Sequence, residues 1–292
     1  MPTVDLPQGR IHYRVAGPAD SKFAPVVFVH GILVDGELWA GTAAALAARG
    51  IRSYAPDLPL GAQRITMNPD ADLSPRGVAG LLLSFLAELG LSDVTLVGND
   101  TGDALCQFLI DADASRIGAL VLTNGDAFEK FPPPPIGLLV KLAASAFRLR
   151  LVLPPLRVTA IRHSFLGYGL LVAGPLDAEL TRRWLAPLSA DAGVRRDTAR
   201  FMRGVRRADL IEVSNRMKDF TRPVLLVWGG ADRLFPMPFA RRVAAAFPHA
   251  RLVEVAGGRT FVPLDQPDRV AAEISGFLVP APRGSAEPPG RH

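Results

Sequence analysis

Val94-Thr95-Leu96-Val97-Gly98-Asn99-Asp100-Thr101-Gly102-Asp103-Ala104-Leu105-Cys106-Gln107-Phe108-Leu109-Ile110 is the stretch whose reading decides the fold. Its first four residues read as a buried strand, and Ala104 to Ile110 read as a helix. Between them stands Asp100, with a glycine two positions away on either side. Gly98 and Gly102 permit a tight, strained strand-to-helix turn and let the helix pack closely on the sheet. Such a turn lifts the Asp100 side chain above the sheet edge, beside the positive end of a helix. A carboxylate held there can attack an electrophilic carbon, which points to an enzyme.

Outward from the turn, strands and helices alternate. Arg10 to Val15 alternates like a half-exposed strand, and Pro25 to Val29 is a continuous apolar run, as in a strand buried on both faces. A helix over Trp39 to Arg49 closes on Gly50, and a short strand follows at Arg52 to Ala55. Ser74-Pro75 opens a long helix as N-cap and first helical residue, and Gly90 ends it. Gly118 to Thr123 is the next buried strand. Phe131-Pro132-Pro133-Pro134-Pro135 then breaks the pattern, and the chain reads as helical to about residue 220. Alternation returns with a strand at Pro223 to Trp228, a helix at Pro238 to Phe247, a strand at Arg251 to Val255 and a helix at Asp268 to Leu278. The pattern predicts an α/β fold with a mostly parallel sheet, helices on both faces and a helical cap. Residues 1–127 and 221–280 form the core, 128–220 the cap, and 281–292 a disordered tail. Ligands of such sheets bind at the carboxyl ends of the strands, where a helical insertion forms a lid.

Composition narrows the function. The chain has 292 residues, 49% of them hydrophobic, enough for one sizeable core with an insertion. The N-terminus lacks an apolar signal region, so a cytoplasmic location is expected. Ile136 to Leu153 is the most apolar long stretch, and Lys141, Arg148 and Arg150 interrupt it, so no membrane partner is expected. The single cysteine, Cys106, excludes an internal disulfide and reads as a small buried hydrophobe. The net charge of +5 comes mainly from arginines on solvated helix faces. These lack interleaved aromatics and are mixed with acidic residues, so no nucleic-acid partner is expected. The expected partner is a small molecule, with no cofactor and no metal, acting on a monomer or homodimer.

These motifs together resemble the α/β-hydrolase fold superfamily. His30-Gly31 after a buried strand resembles its oxyanion loop, and Asp57-Leu58-Pro59-Leu60-Gly61 its Asp-x-x-Gly-x-Gly turn without the last glycine. Gly98-Asn99-Asp100-Thr101-Gly102 matches its nucleophile elbow, with aspartate in place of serine. Val227-Trp228-Gly229-Gly230-Ala231-Asp232 matches the segment that carries the acid. The aspartate resembles the haloalkane dehalogenases and epoxide hydrolases. The resemblance implies that the carboxylate forms an ester at carbon and that a histidine, oriented by a second carboxylate, activates water to cleave it. Asp232 is the favoured second carboxylate. Asp126 is the alternative, although a helix or loop cap accounts for it somewhat better.

The chain also departs from that pattern. The segment that normally carries the histidine is Gly257-Gly258-Arg259-Thr260-Phe261, and the later Pro267 puts Thr260 at the histidine position. A threonine hydroxyl is too weakly basic to replace it. Of the histidines present, His12 falls on the first strand, His249 at the opposite sheet edge and His292 in the tail. His163 lies in the lid, and His30 is the best remaining base by proximity; lid packing and loop hydrogen bonding are the alternative roles. The halide-holding residues of dehalogenases correspond here to Thr101 and Ile32, and one lid tyrosine, Tyr168, stands where epoxide opening uses a pair. Asp103 either forms a proton-holding pair with Asp100 or is a solvated first-turn residue. Phe165, Tyr168 and Trp184 are pocket-lining or core residues of the lid. Two functions follow. One is an enzyme in which Asp100 is a nucleophile or a general acid/base in a non-hydrolytic step. The other is a non-catalytic binding protein, favoured if Asp232 merely caps Thr260 or pairs with Arg259.

Overall fold

The computed structural model describes residues 1–133 and 136–278. The tail expected over 281–292, and His292 with it, lies outside the described residues. The strands are β1 (Thr3–Leu6), β2 (Gly9–Ala16), β3 (Val26–Val29), β4 (Ser53–Pro56), β5 (Val94–Asp100), β6 (Ile117–Gly125), β7 (Val224–Gly229) and β8 (Ala250–Val255). They form one sheet in the order β1-β2-β4-β3-β5-β6-β7-β8. β1–β2 and β2–β4 pair antiparallel, and all later pairs are parallel. β1, bracketed by Pro2 and Pro7, has no signal of its own in the sequence and is held by pairing with β2, from Thr3 opposite His12 to Leu6 opposite Gly9. His12 therefore sits on the second strand.

Strand residues alternate between two apolar layers, as period-two geometry requires. Val27, Val29, Leu96, Leu120, Leu122 and Leu226 face the layer built on α2 (Pro75–Glu88), α3 (Thr101–Ala112) and α10 (Met237–Ala245). Val26, Phe28, Val97, Val121, Leu225 and Val227 face α1 (Ala40–Ala47) and α12 (Pro267–Phe277). α2 begins as the sequence predicts: the Ser74 side chain accepts from the Gly77 N–H, and Pro75 is the first helical residue. Between β6 and β7 the chain is helical: α4 (Ile136–Ala143), α5 (Ala146–Val152), α6 (Thr159–Arg162), α7 (Ala178–Ala190), α8 (Ala192–Gly204) and α9 (Arg207–Asn215). Asp177 and Asp191 cap α7 and α8 through the amides of their first turns. A short helix, α11 (Val262–Asp265), links β8 to α12. Among the described residues no helix is long and apolar enough to cross a membrane.

The joint between β5 and α3 depends on close backbone approach. A Cβ on Gly102 would collide with the Val29 carbonyl of β3, a backbone atom that cannot swing aside. Gly102→Ala is expected to destabilise the fold by about 1–3 kcal/mol. Gly80→Ala on α2 meets nothing within 4 Å and is expected to be neutral or stabilising by up to about 1 kcal/mol. Urea unfolding of the two variants checks this, and equal stability would contradict it.

Candidate active site

β5 ends at Asp100 and α3 starts at Thr101. Asp100 has φ 56° and ψ −126°, a conformation that costs a non-glycine residue about 1–3 kcal/mol. The surroundings hold it there. Asp100 O accepts from the Asp126 N–H at 3.1 Å. Gly31, in the loop after β3, passes so close that a Cβ there would overlap Asp100 Oδ2.

The carboxyl opens into a cavity of about 750 Å³, mouth included, between the carboxyl ends of the strands and the helical segment above them. Asp100, Thr101 and Asp126 form its polar floor. Ile32, Leu33, Pro132, Leu156, Leu171 and Leu185 are among its apolar walls. No histidine, lysine, arginine, asparagine or tryptophan side chain is among the described lining residues. Burial pushes the Asp100 pKa up to about 7; the Thr101 amide opposes the shift and the charge of Asp232 adds to it.

Asp126, just beyond β6, is 1% exposed. Its Oδ2 accepts from Thr101 Oγ1 at 3.0 Å, and its Oδ1 is buried without a partner. Gln107 Nε2 on α3 donates to its backbone carbonyl at 2.8 Å and holds the loop. Burial first, and the facing Asp100 charge second, hold its carboxyl well above the usual range.

Asp232, favoured from the sequence as the second carboxylate, has a different environment. Oδ1 accepts from the amides of Leu234 at 2.7 Å and Phe235 at 3.1 Å, and Oδ2 accepts from Asn124 Nδ2 at 2.8 Å. Among the described residues no basic side chain bonds to it, and it does not line the cavity. Thr260 is fully buried, and its hydroxyl, turned toward Asp232, completes no hydrogen bond. Its carbonyl accepts from Asn99 Nδ2 at 2.7 Å. Asn99 also donates to Thr123 Oγ1 at 3.0 Å, so it ties β5 to β6 and to the loop after β8 and lies outside the cavity lining.

The sequence leaves a chemical and a structural role open for His30, His163 and Trp184, and their contacts are the structural ones; for Asp103 the solvated reading is overturned. His30 is not a free base: Nδ1 bonds to Gly31 O at 2.8 Å and Nε2 accepts from the Leu58 N–H at 2.9 Å. Burial pushes its pKa down to about 4, so the neutral ring pins the loop to the turn after β4. Asp103 is not solvated. It is 1% exposed beneath the elbow, its Oδ1 accepting from Thr123 N at 3.3 Å, and burial raises its pKa. It lies behind Asp100 and not in the cavity lining, because a bare Gly98 and Gly125 leave space for it under the turn. His163 and Trp184 do not line the cavity either. His163 Nε2 bonds to Thr181 Oγ1 at 2.8 Å within the cap. Trp184 Nε1 donates to Asp35 Oδ1 at 2.9 Å and packs against Tyr168 and Phe261, anchoring the cap to the core.

Tyr168 lines the cavity, with its hydroxyl committed to Leu33 O. Phe165 is 71% exposed, and its neighbour Leu166 lines the cavity instead. His249 is exposed just before β8, at the far end of the strands. Among the described residues no group of three or more potential ligands could hold a metal ion. The apolar walls from Pro132, Leu156, Leu171 and Leu185 are not marked in the sequence, where they look like any core residue of a helical segment.

A family model described as "Alpha/beta hydrolase family" matches residues 26–273. "Haloalkane dehalogenase 2" of Mycobacterium tuberculosis is 28% identical over 280 residues, covering 92% of each chain. Among solved structures, an ancestral haloalkane dehalogenase superposes with a TM-score of 0.77 at 21% identity, over 95% of this chain and 98% of that one. An epoxide hydrolase superposes at 0.74 and 19% identity, over 94% and 97%. At such identities the structures attest the fold alone. The family match runs through both halves of the sheet and the cap between them, and by it the chain belongs to the alpha/beta hydrolase family.

Proposed function

We propose that the protein is a hydrolase acting at carbon on a small, largely apolar electrophile, with Asp100 as the nucleophile. One observation carries this reading: a strained aspartate stands on the polar floor of a covered cavity whose walls are apolar. The dehalogenase and epoxide-hydrolase names of its relatives agree with it. In the first step a carboxylate oxygen bonds to carbon as the carbon–leaving-group bond breaks. In the second, water attacks the carbonyl of the resulting ester, releasing the alcohol and restoring the carboxylate. The apolar walls exclude bulk water and leave the carboxylate poorly solvated, which favours its attack. With a pKa near neutrality, Asp100 also suits proton transfer in a non-hydrolytic step.

A second reading, a binding protein on a degenerate hydrolase scaffold, draws support from Asp232, which has no basic partner among the described residues, and from Thr260 at the usual histidine position. Under that reading the protein binds apolar ligands and never bonds to them.

Mass spectrometry after incubation with 1-bromohexane or 1,2-epoxyhexane separates these readings. A covalent adduct on the peptide containing Asp100, absent in Asp100→Asn, is expected, with turnover in that variant lower by at least about a thousandfold. No adduct and no turnover in the wild type, despite measurable ligand binding, would favour the binding protein. Gly31→Ala, which places a methyl group against Asp100 Oδ2, is expected to abolish adduct formation as well.

The pH dependence has a definite sign. Only ionised Asp100 attacks, and its pKa is about 7. The alkylation rate should therefore rise about tenfold per pH unit below neutrality and level off above it. A flat profile down to pH 5 would contradict this assignment.

A further inference from the structure

We propose that Asp126 is the catalytic acid and base of this site, giving up the one proton that an epoxide needs to open and recovering it from the hydrolytic water, so that the substrate class is small apolar epoxides. The proposal rests on Asp100 being the nucleophile.

Asp126 is the only other carboxyl among the described lining residues of the cavity. Thr101 Oγ1 occupies its Oδ2 and fixes the plane of the group. Oδ1 is left buried and without a partner, so a proton it carries is held by no other described group of the protein. No other lining group competes for this role. The Tyr168 hydroxyl is committed to Leu33 O, and burial raises its pKa. Asp232 is saturated by Asn124 and two amides outside the cavity, and His30 has both ring nitrogens engaged.

The charged groups around Asp126 decide which carboxyl holds the proton. Asp100 at the end of β5 and Asp103 on α3 both oppose its ionisation, and Lys130 in the loop after β6 favours it only weakly. Asp100 has the Thr101 amide at the helix start to favour its anion, so Asp100 ionises first and Asp126 stays protonated.

The cycle then balances. Ionised Asp100 bonds to an epoxide carbon, the carbon–oxygen bond breaks, and the departing oxygen takes the proton of Asp126. This leaves a neutral hydroxyalkyl ester and an ionised Asp126. Asp126 next takes a proton from water as the water attacks the ester carbonyl, and collapse of the adduct, with transfer of a proton to the leaving oxygen, releases the diol and restores ionised Asp100. The net reaction is epoxide plus water to diol. The pair carries one negative charge before ring opening and one after it, so no extra charge is buried in an apolar cavity. An alkyl halide would instead leave a halide ion where no side-chain N–H or cation stands among the described lining residues, beside an acid with no proton acceptor to serve. A smaller adjoining cavity also borders Thr101 and Asp126 and gives the water a place beside the acid while the main cavity holds the alkyl chain.

The test compares two probes on folded protein, verified by thermal melting. With 1,2-epoxyhexane, Asp126→Asn is expected to open the ring at least about a hundredfold more slowly than the wild type. With 1-bromohexane, which needs no acid, single-turnover alkylation of Asp100 in that variant should stay within about threefold of the wild-type rate. Thr101→Val, a milder change that removes only the orienting hydroxyl, should slow ring opening about tenfold and spare bromide alkylation. Ring opening within about threefold of the wild type in Asp126→Asn would overturn the role of Asp126. So would parallel loss with both probes in Asp126→Asn and in Thr101→Val, which would mark a structural role. Either result, with the Asp100 ester still formed by the wild type, leaves the nucleophile intact. A wild type that forms no Asp100 ester with either probe overturns the nucleophile and the acid together.

Discussion

Two carboxyl groups on the floor of an apolar cavity, with no cation among its described lining residues, can carry one negative charge far more readily than two. This constraint organises the site. It makes Asp100 and Asp126 a single titrating unit holding one proton between them, with the Thr101 amide and hydroxyl dividing the roles. A second layer of the same kind lies beneath: Asp103 under the elbow is a buried carboxyl pressed among glycine backbones. The resulting stack of acids is tolerable only while most of its members are protonated.

The scaffold holds these groups in place by unusually close backbone approaches. Gly102 lets α3 descend onto β3, and Gly31 lets the loop after β3 pass against the Asp100 carboxyl. Asn99 binds β5 to β6 and to the loop after β8. Above, Trp184 and Tyr168 fasten the cap to Asp35 and Leu33, so the two aromatic residues that look like ligand contacts in the sequence also position the lid. Arg14 pairs with both Asp35 and Asp57, extending this anchor into the antiparallel end of the sheet.

The elbow, the buried strands and the helix caps were legible in the sequence because each has a local cause: Gly98 and Gly102 around Asp100, apolar runs at Val26–Val29 and Val224–Gly229, and Ser74-Pro75 before α2. β1 was not, because its only support is a neighbouring strand. The site was less legible than the fold. A motif singles out Asp232, whereas position in three dimensions puts Asp126 in the cavity and satisfies Asp232 with amides. Whether Asp103 meets solvent depends on what covers the first turn of α3, and whether His30 is free depends on the Leu58 amide from another loop. Both are non-local facts. The cap lining is the least legible of all, since Leu156, Leu171 and Leu185 serve the cavity with side chains indistinguishable from core packing.

The shared proton can be observed without substrate, by the infrared difference spectrum between the wild type and Asp126→Asn at neutral pH. Asp103 contributes equally to both proteins and cancels. The expected result is loss of one protonated-carboxyl band in the variant. A difference spectrum showing the loss of an ionised carboxylate at that position, with no protonated band removed, would contradict the one-charge pair on which the chemistry depends.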